Sequence, residues 1–566
     1  MSLYLIAITD PAHGDDCLGP LIWHRDEFTM CQQLGLHGTG ISSALGAKRQ
    51  TLCLFTLLCR PGEGPCQGAT AIFPITSATR IYEGFLLTIS RRSVLKGGLA
   101  LAVSGTMPAR AEFAPRAIIN DASRLNPTSV ARHIALKTAP TDDVVGRIRK
   151  EILAAAADGR PFAIGTARHS MGGQSIPKDG VAITLTGGHI DVDRAQMTYR
   201  VGAGVRWFEV IRALDAQGFS PAVMQSNSDF GVGSTFCVNS HGWPTRYGPF
   251  GATVRSVQIV MADGQLAECS RTKNAELFAL AMGGYGLFGA VVDVELDMVP
   301  NALLEPSYVR MDPSRFADTF IRTIETDLSV KMAYGRLSVA RESLFDEALV
   351  ISYRPAATQP SPLPAVVDHG ALTGFSRDVY RLQTGREWAK NLRWFMEASV
   401  SPSIAGAATR NTLMVEPVVN LASGDRTRTD ILHEYFVPPD RFTGFVDLCR
   451  AIIPKTKAEF LNVTLRYVDT DPVAVLAYAP QKRIAAVMSF SQEISAEGEA
   501  DMMTMTEALI EGVKGLGGAF YLPYRLHARR DQVRSIYPRT EEFVAAKRKL
   551  DPSLVFRNMM WDAYFA

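Results

Sequence analysis

Two glycine-rich stretches and a few titratable side chains carry the chemistry of this chain. Gly165-Thr-Ala-Arg-His169-Ser170-Met-Gly172-Gly173-Gln174 sets a histidine and a serine inside a glycine loop, and Gly231-Val-Gly233-Ser234-Thr235-Phe-Cys237 repeats the theme further on. Glycine lets backbone approach a ligand closely. A concave run of backbone N–H groups, with Ser170, Ser234 and Thr235 hydroxyls as added donors, binds an anion such as a pyrophosphate without any cationic side chain. The competing readings are a plain surface turn at Gly172 and Gly173, and simple strand capping at Ser234 and Thr235. Later in the chain, alternation puts Asn462, Thr464 and Arg466 on one face of a strand. Arg466 there can bind a substrate oxygen or stabilise developing negative charge, or be an ordinary surface charge. Pro523-Tyr524-Arg525-Leu526-His527 ends in an imidazole that titrates near neutrality and can take a proton from a hydroxyl. Its alternative is to anchor the last segment.

These groups need elements to position them. His133–Lys137 reads as a strand, Thr141-Asp142-Asp143 as a helix start with acids in the first turn, and Val144, Val145, Ile148, Ile152 and Leu153 as the apolar helix face. Gly159 is the expected stop, and the strand Pro161–Gly165 then empties into the His169 loop. Further on we expect a strand at Thr198–Val201, a helix over Trp207–Gln217 and a hairpin of Val254–Met261 with Gln265–Cys269 turned at Asp263-Gly264. A helix near Ala275–Ala281 and an alternating strand through Val292, Val294, Leu296 and Met298 follow. Between the last two, Gly284-Tyr-Gly286-Leu-Phe-Gly289 satisfies the G-x-G-x-x-G spacing. Its context is reversed, because the dinucleotide fingerprint needs a strand before and a helix after; Gly286 and Gly289 remain candidates for close backbone approach to a ligand. From about 300 to 510 the texture changes, with a Pro-rich loop at Arg354–Pro364, a helix holding Trp388, Trp394 and Phe395, and strands such as Thr464–Val468. The last 55 or so residues return to the earlier compact style. The fold class is α+β, with a second domain inserted into the first.

The chain has 566 residues, 59 basic against 57 acidic, so a net charge of +2 supplies no field for nucleic acid or an anionic membrane. No apolar run reaches the roughly 18 residues of a membrane span, Leu99–Val103 being the nearest. No CxxC, HExxH or P-loop pattern is present, and we expect no metal. Ser90-Arg91-Arg92-Ser93-Val94-Leu95-Lys96, the apolar stretch to Val103 and Ala109-Arg110-Ala111 follow the order of a twin-arginine export signal over residues 90–111. The competing reading is a surface Arg pair before a buried helix. Residues 1–89 precede this signal, so translation is expected to begin near Leu86 or Leu87, and the destination to be periplasmic or secreted.

Six short motifs now fall in order: His169-Ser170 in its glycine loop, Asp229-Phe-Gly-Val-Gly233-Ser-Thr-Phe, Tyr247-Gly-Pro-Phe-Gly251, Ala262-Asp-Gly264, Asn274-Ala-Glu-Leu-Phe278 and Gly286-Leu-Phe-Gly289. Together they resemble the FAD-binding domain of the vanillyl-alcohol oxidase superfamily, including its cytokinin dehydrogenases and its sugar-alcohol and aldonolactone oxidases. A C-terminal echo is Lys549-Leu-Asp-Pro552-Ser-Leu-Val-Phe556-Arg-Asn558. The resemblance implies a two-part FAD-binding domain of the PCMH type over 126–303 and 511–566, with a substrate cap over 304–510. It implies FAD held by Gly165, His169, Ser170, Gly172, Gly173, Gly231, Gly233, Ser234, Thr235, Gly286, Gly289 and Asn558. In several branches the corresponding histidine is bonded to the flavin; His169 either does this or only hydrogen-bonds the loop. The sugar-alcohol oxidases carry Glu-x-Arg on a cap strand, where this chain has Thr464-Leu465-Arg466, and Pro-His-Trp-Gly-Lys near the C-terminus, where it has Pro523–His527. By that resemblance His527 is the expected base, Tyr524 the next choice, and Arg466 the substrate or flavin partner. The cytokinin dehydrogenases use an Asp at a place occupied here by Ser226, which weighs against amine oxidation. The expected activity is oxidation of a CH–OH group of a polyol, sugar or aldonolactone-like molecule by hydride transfer to flavin N5. The acceptor is then oxygen, a quinone or a redox protein, which the sequence leaves open. The alternatives are CH–NH oxidation and a flavin-loaded binding protein without turnover.

Overall fold

The computed structural model describes residues 40–41, 51–56, 70–75, 117–367, 373–416 and 425–566. The twin-arginine segment lies outside them, as does most of the stretch before it. Tyr4–Ala111 clusters as a unit of its own, in which Gly40–Ile41, Thr51–Thr56 and Thr70–Ile75 pair as an antiparallel sheet.

From Glu112 onward the chain clusters as one unit built on three sheets that bear on the site. The first is parallel, with Val181–Gly187 between Arg132–Thr138 and Phe162–Gly165. Its crossover helix, Val144–Ala157, starts where Asp143 accepts the Gly146 N–H at 2.7 Å and stops before Gly159, whose φ is +62°. Ile148, Ile152 and Ala155 are the buried stripe that faces the core.

The second sheet is antiparallel in the order Leu266–Ser270, Val254–Val260, Ala290–Pro300, Thr198–Gly202, Ile190–Asp193. Gly289 opens its central strand with φ +145°, and a Cβ there would lie 2.4 Å from the Ile259 side chain. The G-x-G-x-x-G spacing is thus used for strand packing, with the helix Ala275–Ala281 before it and a strand after.

The third sheet has eight strands drawn from Leu303–Phe520. Glu459–Val468 sits between Met332–Leu337 and Arg483–Glu493, and Arg428–Val437 comes next. Strand period sends neighbouring residues to opposite faces. On Arg428–Val437, His433 therefore meets the helix Ala496–Gly515 at Thr506, while Glu434 meets His241 on the other side.

The C-terminal segment then returns to the first sheet. Phe162 donates its N–H to Val555 O at 2.6 Å and stacks edge-on with Phe556. Lys547, fully buried, donates to Leu287 O at 2.6 Å and pairs with Asp551, which also accepts the Val555 and Phe556 N–H groups. No helix among the described residues is long and apolar enough to cross a membrane.

Burial and the neighbouring His527 push the His433 imidazole down from 6.5 to about 3. The unfolded chain binds that proton readily and the folded one does not, so stability from this group is complete above pH 6.5 and falls as pH drops towards 3. Chemical denaturation at stepped pH is expected to show wild-type stability declining already below pH 6.5, and His433→Gln to flatten that first decline.

Candidate functional site

The loop that follows Phe162–Gly165 is the anion-binding feature. Arg168 sits at φ +51°, a left-handed residue that turns successive N–H groups towards one side. Its guanidinium donates to Ile183 O at 2.9 Å and to the Thr184 hydroxyl, and burial pushes it down to about 10. Among the described residues, the N–H groups of Ala167, Arg168, His169 and Ser170 have no protein acceptor. Ser175 Oγ and Arg168 Nε are buried without a partner in the same loop. Such a run of N–H groups, a nest, suits an anion.

Most of the other expected cofactor residues also have protein partners. Gly172 N–H donates to Gln174 Oε1 at 2.9 Å, and Gly173 N–H to Asp121 Oδ2 at 2.8 Å. Gly231 caps the short helix Val232–Cys237, and Gly233 N–H donates to Ala203 O at 3.0 Å. The buried Thr235 hydroxyl accepts from Trp207 Nε1 at 2.8 Å and faces Gln225, while Ser234 Oγ lies 2.8 Å from Thr166 Oγ1. Asn558 spends its amide on Gln174 O and Tyr285 O and accepts the Trp561 N–H. These contacts brace the segments around the nest. Gly286, at φ +72°, has no atom within 4 Å of where a Cβ would stand, so space remains there.

His169 is partly exposed beside the nest. Its ring stacks on Phe230 with centroids 4.2 Å apart, and Nε2 lies 3.4 Å from Asp229 Oδ2. A cavity of about 150 Å³ opens elsewhere between the two smaller sheets, lined among others by Thr138, Gly187, Gly202, Val292 and Asp293.

The nest is clamped to the C-terminal segment. Met171 N–H donates to Pro523 O at 2.8 Å, and the Gln174 amide donates to Leu522 O at 2.8 Å and Tyr524 O at 3.1 Å. From this clamp the half-buried Tyr524 reaches a buried polar cluster, donating to Glu434 Oε2 at 3.0 Å. Glu434 Oε1 is also hydrogen-bonded to His241 Nε2. Arg466 donates to His241 O at 3.3 Å, and its Nε is buried without a partner. Burial alone would raise the Glu434 carboxyl, but His241, Arg466 and Tyr524 together hold it below the ordinary carboxylate range. Asn462 and Thr464 do share a face, since Arg336 Nη1 donates to both, at 2.9 and 2.5 Å.

The structure brings Tyr524 and Arg466 together and leaves His527 out. Its Nε2 is 2.8 Å from Glu499 Oε1 and its Nδ1 3.1 Å from Thr506 Oγ1, on the helix-facing side of the strand that sends Glu434 the other way. Both its nitrogens have partners there, so His527 lies on the side of the strand away from Glu434 and Arg466. Sequence reasoning passed over Glu434 and His241. The signal was available in Ile431-Leu-His-Glu-Tyr-Phe-Val437, where a carboxylate interrupts an apolar strand.

A run of backbone N–H groups without protein acceptors, tied to a buried polar cluster, suits a phosphate-bearing cofactor. Residues 145–270 match the model of the FAD binding domain family. The chain is similar to cytokinin dehydrogenase 3 of Arabidopsis thaliana, 23% identical over 70% of this chain and 79% of that one. It is also similar to alditol oxidase of a Streptomyces species, 33% identical over 24% of this chain and 33% of that one, and to cytokinin dehydrogenase 1 of Oryza sativa subsp. japonica, 29% identical over 29% and 32%. The FAD-binding match and these relatives make the chain a FAD-dependent oxidoreductase. FAD fits the residues present, because its pyrophosphate matches the open N–H run of Ala167–Ser170 and the orphaned Ser175 hydroxyl.

His527→Ala is expected to lower stability by about 2 kcal/mol, the order of one hydrogen bond to a charged group. Flavin per protein and the anaerobic reduction rate should stay at wild-type values; a loss of reduction with stability intact would return His527 to the site.

Proposed function

We propose that this oxidoreductase oxidises a CH–OH carbon of a polyol, sugar or aldonolactone-like molecule. One observation carries the reading: Tyr524, whose backbone is clamped to the cofactor loop, and Arg466 converge on a buried carboxylate. An alcohol needs a group that accepts its proton and a cation for its oxygen as that oxygen gains negative character. Tyr524 and Arg466 have those chemistries. The bound flavin supplies the two-electron acceptor at N5. The backbone of Ala167–Ser170 holds the pyrophosphate, and the hollow lined by Gly187 and Val292 is the room we assign to the adenine end. The large sheet from Leu303 to Phe520 is the substrate cap in this reading, with Asn462, Thr464, Arg336 and Arg466 on its working face. Similarity to an alditol oxidase supports hydroxyl substrates, and the cytokinin dehydrogenases keep CH–NH substrates as the competing outcome.

His169 is the proposed covalent tether, since Nε2 faces Asp229 and leaves Nδ1 for the flavin. The arginine pair at 91–92 supports export by the twin-arginine route, which carries proteins folded around a cofactor acquired in the cytoplasm. Acid-precipitated wild-type protein is expected to stay yellow, and His169→Ala to release its flavin to the supernatant; free flavin from the wild type refutes the tether. Anaerobic bleaching of the flavin band by a substrate panel tests the activity. Reduction by polyols or sugars and not by amines is expected; the reverse overturns the reading.

A further inference from the structure

The buried pair Glu434–His241 lies outside the motifs singled out in the sequence, and charge this deep needs a reason. Both side chains are 3% exposed. His241 is boxed by Phe436, Tyr478 and Tyr521, and its Nδ1 is buried with no partner among the described residues. A carboxylate so placed is costly unless its partners repay it. The cluster meets the C-terminal segment at Tyr524, a partly buried residue whose hydroxyl donates to Glu434 Oε2 at 3.0 Å.

We infer that Glu434, braced by His241, is the proton acceptor that makes Tyr524 the working base, so that the substrate proton is relayed through the Tyr524 hydroxyl to the buried carboxylate. This rests on the proposed oxidation of a CH–OH carbon. The substrate O–H bond breaks as its proton passes to Tyr524 Oη, while the Tyr524 phenol proton passes to Glu434 Oε2. Tyr524 is neutral before and after, and the single negative charge of the carboxylate is neutralised. The electron pair of the C–H bond leaves as hydride to the bound flavin, and the carbon becomes a carbonyl. Tyr524 touches the substrate and is the catalytic residue; Glu434 and His241 act through it as positioning residues.

Three features support this direction of transfer. Tyr524 is the donor to Glu434, so the phenol oxygen keeps its lone pairs for the incoming proton. Burial first, and then the Glu434 charge, raise the phenol well above 10, so tyrosinate itself is not the resting base and a second acceptor is needed. The groups facing Glu434 are His241 from the FAD-domain loop, Arg466 from the cap strand and Tyr524 from the C-terminal segment, with Tyr285, Tyr478 and Tyr521 around them. Among these, Arg466 and His241 favour the ionised carboxylate before turnover.

The test compares Glu434→Gln, Glu434→Asp and Tyr524→Phe with wild-type holoenzyme. Glu434→Gln is expected to keep its flavin and lose roughly 10²–10⁴ in the anaerobic reduction rate, with KM changed far less than kcat. The wild-type rate should be flat with pH through neutrality, whereas the Gln variant should regain rate as pH rises and tyrosinate forms. Glu434→Asp should restore much of the rate. A readout independent of turnover is the ultraviolet absorbance of tyrosinate, taken as the difference from Tyr524→Phe: removal of the carboxylate charge should lower the pH at which that one phenol ionises. A Gln variant with wild-type rate and pH profile, or with an unmoved phenol titration, overturns the relay. If Glu434→Gln loses flavin or fails to fold, Tyr524→Phe carries the test, and a wild-type anaerobic reduction rate there overturns the relay. Failure of every alcohol to reduce the wild-type flavin would instead sink the proposed function, while the phenol titration would still report on the Tyr524–Glu434 coupling.

Discussion

The close approach of Gly172 to the C-terminal segment is the constraint on which the site depends. A Cβ on Gly172 would fall 2.5 Å from Tyr524 O and 2.7 Å from Gln174 Nε2, closer than side-chain atoms pack. Because glycine is there, Met171 and Gln174 can hold Pro523 and Tyr524 by their backbone. One short contact therefore fixes two things: the loop whose N–H groups have no protein acceptor, and the residue that reaches into the buried cluster. In the proposed oxidation the same few atoms would align cofactor binding with hydride transfer, which depends on orientation.

The strand Arg428–Val437 divides the polar interior into two parts with different duties. On its helix side, Glu499 takes His527 and Arg525 and is held down at about 2, while Arg525 also reaches Asn126 Oδ1 and Met171 O. That side ties the N-terminal lead, the nest loop and the last segment together. On the other side, Glu434 and Arg466 keep atoms unpaired or charged at a higher cost. Buried polar groups in native proteins are normally satisfied, and those that are not tend to mark sites of function.

Much of this was legible in the sequence wherever local rules govern. The helix Val144–Ala157 follows from its Asp143 cap, its apolar stripe and Gly159, and the hairpin of Val254–Val260 with Leu266–Ser270 follows from Asp263-Gly264. The nest was legible as a glycine loop, although its open N–H groups belong to Ala167–Ser170 and not to Gly172 and Gly173. What sequence spacing does not encode is which face a residue takes in a sheet whose strands are far apart in the chain. His527 and Tyr524 are three residues apart, and only the pairing of Arg428–Val437 with its neighbours puts one towards the helix and the other towards Arg466. His241 and Glu434 are separated by 193 positions, so their meeting is a tertiary fact.

The glycine loop positions Tyr524 through Gly172. A double-mutant cycle on the anaerobic flavin reduction rate tests it most directly, because residues that act through one contact give non-additive effects. Gly172→Ala should slow reduction in the wild-type background and add little in Tyr524→Phe, where the group it displaces is already gone. Equal, additive effects in both backgrounds would contradict the account.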